Sequence, residues 1–122
     1  MTQYETFEAW LNKYLILDIS PKVKAINFNL YESSGGKDEF DVQLIGAPRY
    51  DHDDPDWACT AIFSTGEDLC SIKATDWEDC LQIVMEYIRK YLSYGTYAKK
   101  MKSLHAVTVG FVDGDLEIIL EN

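Results

Sequence analysis

The stretch YDHDDPDWAC, residues 50–59, sets four aspartates, one histidine and one cysteine within ten positions. Carboxylate oxygens are ligands for hard cations such as Ca²⁺ or Mg²⁺. A histidine among carboxylates has its charged form favoured and suits proton transfer. A cysteine near a histidine is a candidate nucleophile. A fourth reading involves no chemistry at all. Tyr50 and Trp57 flank Asp51, Asp53, Asp54 and Asp56, the mixture of aromatic anchor and charged rim found at protein interfaces.

The cation reading meets a spacing test. An EF-hand loop needs acids at positions 1, 3 and 5, glycine at 6 and glutamate at 12. Counted from Asp51, Asp53 falls at position 3, but Pro55, Asp56 and Ile62 occupy positions 5, 6 and 12. The pattern fails, and only a looser Mg²⁺ or Ca²⁺ site survives as an alternative. The catalytic alternative is a small metal-dependent or Cys–His enzyme using Asp51, His52, Asp53 and Cys59. It lacks companions, since the chain has no G-x-S-x-G, no H-E-x-x-H and no P-loop. Gly35 and Gly36 sit in a turn and do not open a helix, so they do not cradle phosphate. His105 is expected at the edge of the core beside Val107, Val109 and Phe111. No catalytic residue, metal or cofactor is therefore expected. The three cysteines, Cys59, Cys70 and Cys80, have no CxxC spacing and are expected to be reduced and mostly buried.

Charge points the same way. Eleven Lys and Arg stand against 21 Asp and Glu, a net charge of −10. Such a surface repels nucleic acid and anionic membranes, and attracts a basic protein. The cations are uneven: Arg89, Lys90, Lys99, Lys100 and Lys102 lie between residues 89 and 102, where no acid occurs. Tyrosines interleave them, a pattern that can bind single strands, but the surrounding negative field opposes it. No run of about 18 apolar residues is present, so no membrane span is expected. The opening MTQYETFEAW has neither a basic start nor an apolar stretch. No export leader is expected there, and the cytoplasm is the expected compartment.

The elements that must position this loop follow from periodicity. At 122 residues, 47% hydrophobic, the chain is expected to form one domain, 1–122, with its own core. Thr2 and Glu5 form a capping box, and Phe7, Trp10, Leu11, Tyr14 and Leu15 repeat at helical spacing. Ile26, Phe28 and Leu30, then Phe40, Val42 and Leu44, alternate with polar residues as two strands joined by a Gly35–Gly36 turn. WACTAIFS (57–64) reads as a third strand, with Trp57, Cys59, Ala61 and Phe63 on one face. LCSIKA (69–74) reads as a fourth. Thr75 and Glu78 suggest a second capping box, opening a helix whose face is Trp77, Cys80, Leu81, Val84, Ile88, Tyr91 and Leu92 and which Gly95 ends. Residues 97–102 suggest a further helical turn. Two apolar runs around Asp113-Gly114 read as a closing hairpin. The order α-β-β-β-β-α-β-β predicts an α+β fold, a mainly antiparallel sheet with helices packed on one face.

Four stretches carry a resemblance: FNLYE (28–32), DPDWAC (54–59), TDWEDCL (75–81) and VGFVDGDLEIIL (109–120). Together they resemble small acidic bacterial immunity proteins of polymorphic or contact-dependent toxin systems. The shared features are strand edges, a helix cap and a hairpin turn, with no catalytic signature among them. The resemblance implies a cytoplasmic protein that binds and blocks a cognate basic toxin domain, such as a nuclease. The expected contact residues are Tyr50, Asp51, Asp53, Asp54, Asp56 and Trp57, with Asp38, Asp41, Asp113 and Asp115 as weaker candidates. A regulatory or scaffold domain is the remaining alternative. The expected state is a monomer, or a weak homodimer through an exposed edge of the terminal hairpin.

Overall fold

The computed structural model describes residues 1–17, 20–33 and 38–122. The expected Gly35–Gly36 turn lies outside them. The described elements are α1 (Gln3–Leu15), β1 (Ala25–Glu32), β2 (Glu39–Ala47), a 3-10 helix (Pro55–Cys59), β3 (Phe63–Ser64), β4 (Cys70–Lys73), α2 (Trp77–Tyr94), α3 (Ala98–Lys102), β5 (Ala106–Phe111) and β6 (Glu117–Glu121). This is the α+β architecture that the sequence predicts. The strands form one sheet in the order β3-β2-β1-β5-β6, and β4 pairs with β2 alongside β3.

The sheet is mainly antiparallel, but its central pair is not: β1 and β5 run parallel, with Ala25 opposite Ala106 and Leu30 opposite Phe111. The chain reaches β5 from β4 by way of α2 and α3, the kind of long crossover that a parallel neighbour requires.

Side chains alternate across a strand, so the two faces of the sheet have different composition. Ile26, Phe28 and Leu30 of β1 join Val42 and Leu44 of β2 and Val107 and Val109 of β5 in the main core. Phe7, Trp10, Leu11 and Leu15 of α1, with Cys80, Val84, Ile88 and Tyr91 of α2, pack in the same core. These helical residues recur at three and four positions, which keeps them on one stripe facing the sheet.

The helix ends are specified locally. Thr2 and Glu5 form the expected capping box at α1. At α2 the cap lies one residue later than the sequence suggests. Asp76 is the N-cap, and its side chain accepts from the Asp79 amide at 2.8 Å. The Asp79 carboxylate accepts from the Thr75 amide at 2.9 Å. Two aspartates thus take the accepting roles expected of Thr75 and Glu78, and Trp77 becomes the first helical residue. Gly95 ends α2 as expected, its backbone turning extended, and a side chain there would lie 2.6 Å from the Tyr91 ring.

Three further expectations need correction. The region 57–64 is not one strand: its first part is the 3-10 helix, and only Phe63–Ser64 pair with β2. Trp57, Cys59, Ala61 and Phe63 therefore do not share a strand face. Trp57 is buried, Cys59 and Ala61 are exposed, and Cys70 and Cys80 are the buried cysteines. The Asp113-Gly114 hairpin forms, but its loop runs from 112 to 116 and Gly114 does not take a positive φ. Finally, His105 is exposed rather than at the edge of the core; its backbone, not its ring, is held, by Lys24 and Asn122.

Candidate functional site

The acidic loop lies on the face of the sheet opposite the main helices. Its seat is a row of three small residues: Ala47, Ala25 and Ala106 face one another across β2, β1 and β5. Alanine leaves room for a ring to approach the backbone closely. Trp57 fills that room at 1% exposure, clustered with the three alanines and with half-buried Tyr50, Ala58 and Leu116. The Tyr50 and Trp57 rings meet edge to face, with centroids 5.3 Å apart. Trp57 is thus the loop's internal anchor, and its burial removes it from the expected contact residues.

The aspartates divide into two pairs. An Asp51 side-chain oxygen accepts from the Asp53 amide at 2.9 Å, and an Asp54 oxygen accepts from the Asp56 amide at 3.0 Å. These side chains imitate a backbone turn, a local habit of aspartate. Asp54 is the N-cap of the 3-10 helix and Pro55 its first residue, the arrangement that suits both residue types. Asp51 and Asp54 are half-buried, whereas Asp53 and Asp56 are exposed. The Asp54 carboxylate also lies 3.9 Å from the Arg49 guanidinium.

Glu121, in the row of Ala106 at the edge of the sheet, holds the start of the loop. Its carboxylate accepts from the Tyr50 hydroxyl and lies 2.5 Å from His52 Nδ1. The bond and charge of Glu121 raise the His52 pKa above its usual value. The Tyr50 and His52 bonds lower that of Glu121. Burial, with the Glu121 bond, pushes Tyr50 up to about 12. His52 is thereby occupied by a structural carboxylate. Among the described residues, no group of three or more His, Cys, Asp or Glu is placed to hold a metal ion.

Glu121 was not among the residues singled out by the sequence. A single acid at the end of a strand carries no local signal, and its role follows only from the β5–β6 pairing.

Beyond the tryptophan the same face is polar. The Thr108 hydroxyl donates to Asn27 at 2.8 Å, Asn27 to Asn29 at 2.6 Å, and Asn29 to Gln43 at 3.1 Å. Tyr31 donates to the same Gln43 oxygen, and the Gln43 amide donates to the Gly66 carbonyl. Asn27 and Thr108 are buried within this chain of bonds. The signal available in the sequence was the choice of two amides, not charges, at alternate positions of β1.

The weaker candidates are dispersed. Asp38, Asp113 and Asp115 are exposed, and Asp41 is half-buried opposite Ser71. The basic segment does not neutralise the loop: Lys100 instead donates to the Leu15 and Leu17 carbonyls at the end of α1, at 2.6 and 2.9 Å. Among the described residues, no helix is long and apolar enough to cross a membrane. No protein-family model, curated protein or solved structure matches the chain.

Proposed function

We propose that the protein is a non-enzymatic binding protein whose 50–56 loop recognises a basic protein domain, in the manner of an immunity protein that neutralises a toxin. The observation carrying this reading is the loop's anchorage. Trp57, seated on three alanines, and the Asp51 and Asp54 turns hold Asp53 and Asp56 outward in a fixed arrangement. A loop ordered before contact loses less entropy on binding. A net charge of −10 steers a cationic partner toward it and makes the encounter sensitive to salt. On a nucleic-acid-binding domain, carboxylates presented in this way would take the place of phosphates.

The test is co-expression with the product of the adjoining reading frame, followed by measurement of binding kinetics. Protection of the cells and a stable complex are expected. The Asp53→Asn/Asp56→Asn variant should slow association several-fold and flatten its salt dependence, with stability unchanged, because neither side chain supports the loop. Absence of both protection and complex sinks the toxin reading. A complex whose association rate ignores the double substitution moves the contact away from this loop.

A further inference from the structure

At the opposite end of β1 and on the helix side of the sheet, the start of α2 and the β5–β6 hairpin enclose a cleft of about 460 Å³. Its apolar wall is Trp77, Leu81 and Phe111. Its rim carries four carboxylates, from Glu32, Asp113, Asp115 and Glu117, and no cationic residue lines it among the described residues. None of the four takes part in an ion pair with a described residue.

Trp77 is 54% exposed although it is a large aromatic. It is the first residue of α2, beside the Asp76 cap, and its ring stands edge-on to Phe111 at 6.2 Å and 89°. The other two tryptophans, Trp10 and Trp57, are buried. An exposed indole edge-on to Phe111, in a cleft whose rim holds four unpaired carboxylates, is not explained by packing.

We propose that this cleft receives an arginine side chain of a protein partner. A cation over an aromatic face is attracted by the ring quadrupole, with tryptophan the strongest of the rings. Arginine suits the site better than lysine, because its planar guanidinium stacks on an indole while its fork donates to carboxylates in pairs. The cleft has room for one such side chain and the backbone on either side of it. The positive pole of α2 opposes a cation here, but Asp76, Glu78 and Asp79 offset it at the first turn. The inference does not rest on the acidic loop, which lies on the other face of the sheet.

The test is a titration of the intact protein with Ac-Gly-Arg-Gly-NH₂, followed by the NMR signal of the Trp77 indole N–H. A saturable shift is expected. It should be absent with the peptide in which uncharged citrulline replaces arginine. Trp77→Leu, at an exposed position, should weaken binding, read from neighbouring α2 amides, about two- to fivefold, and Asp113→Asn/Asp115→Asn should weaken it further. The Asp53→Asn/Asp56→Asn variant should bind the peptide unchanged, so the two sites stand or fall separately. No saturable shift overturns the proposal. Equal binding of the citrulline peptide overturns it by making the cleft merely apolar. Butylamine, which has no guanidinium, binding as tightly as the peptide overturns it by making the cleft a site for any small cation.

Discussion

Trp57 and Glu121 act on the acidic loop from opposite sides, one by packing and one by charge. Removing a buried tryptophan side chain costs about 3–5 kcal/mol. The small cluster around Trp57 places Trp57→Ala near the lower figure, so urea denaturation should show a loss of about 3 kcal/mol. A loss well under 1 kcal/mol would mean that the loop does not depend on its seat. The His52–Glu121 contact gives a pH signature. The raised His52 pKa means that its contribution is complete below the ordinary value of 6.5 and fades as pH rises through the raised one. The lowered Glu121 pKa means that its contribution is complete above 4.5 and fades as pH falls through the lowered one. Between 4.5 and 6.5 both are in force. The stability difference between the native protein and Glu121→Gln should be greatest in that window and shrink on its alkaline side, and His52 in the variant should titrate at lower pH by NMR. A difference that does not vary with pH would show that the two groups do not interact in solution. Part of this was legible in the sequence. Asp54 followed by Pro55 is a helix-start signal, but the alternation of WACTAIFS suggested a strand, and the alanines that make room for Trp57 come from three distant strands.

Hairpin loops and helix caps set how the elements meet. Gly110 of β5 shows this most directly. A Cβ there would lie 2.5 Å from the Asp115 carbonyl oxygen and 3.2 Å from the Leu116 side chain. The β5–β6 loop therefore crosses β5 at a distance only glycine permits. Gly110→Ala should force that loop outward at a cost of about 1–3 kcal/mol, visible as a lower Tm and as shifts in the amides of residues 112–116. A variant as stable as the native protein, with those amides unmoved, would show that the crossing is not tight. Because the same loop carries Asp113 and Asp115 to the rim of the cleft, the substitution should also weaken the arginine peptide. At this scale the sequence was informative wherever a contact is local. The α1 cap, the hydrophobic face of α2 and the two hairpins all follow from residues within a few positions of one another. The parallel pairing of β1 with β5 does not, since no short-range pattern encodes which strand will lie beside which. The cleft was equally hidden, because Glu32 and Trp77 become neighbours only through that pairing.

The whole molecule carries a net charge of −10 on 122 residues, so its carboxylates repel one another in the folded state. Screening becomes effective as the Debye length shrinks to about 10 Å near 0.1 M salt. The melting temperature should therefore rise between low and moderate ionic strength, while association with the basic partner proposed above should slow over the same range. A melting temperature that falls with salt would show that attractive pairs such as Lys13–Asp68 outweigh the repulsion. Charge was fully readable from composition, but its placement was not. The cations of residues 89–102 include one that caps α1 and none that pairs with the acidic loop, which leaves the loop's field intact. The central strand pair has a consequence in time. It joins residue 25 to residue 106, so during synthesis β1 emerges long before one of its two neighbours exists. Contacts so distant in sequence close late, and the third alanine under Trp57 is among them. A nascent chain halted before residue 106 holds every aspartate of the loop but lacks Ala106 and Glu121, two of the groups that hold it. Order in the loop then follows the synthesis of β5, not the translation of the loop's own residues.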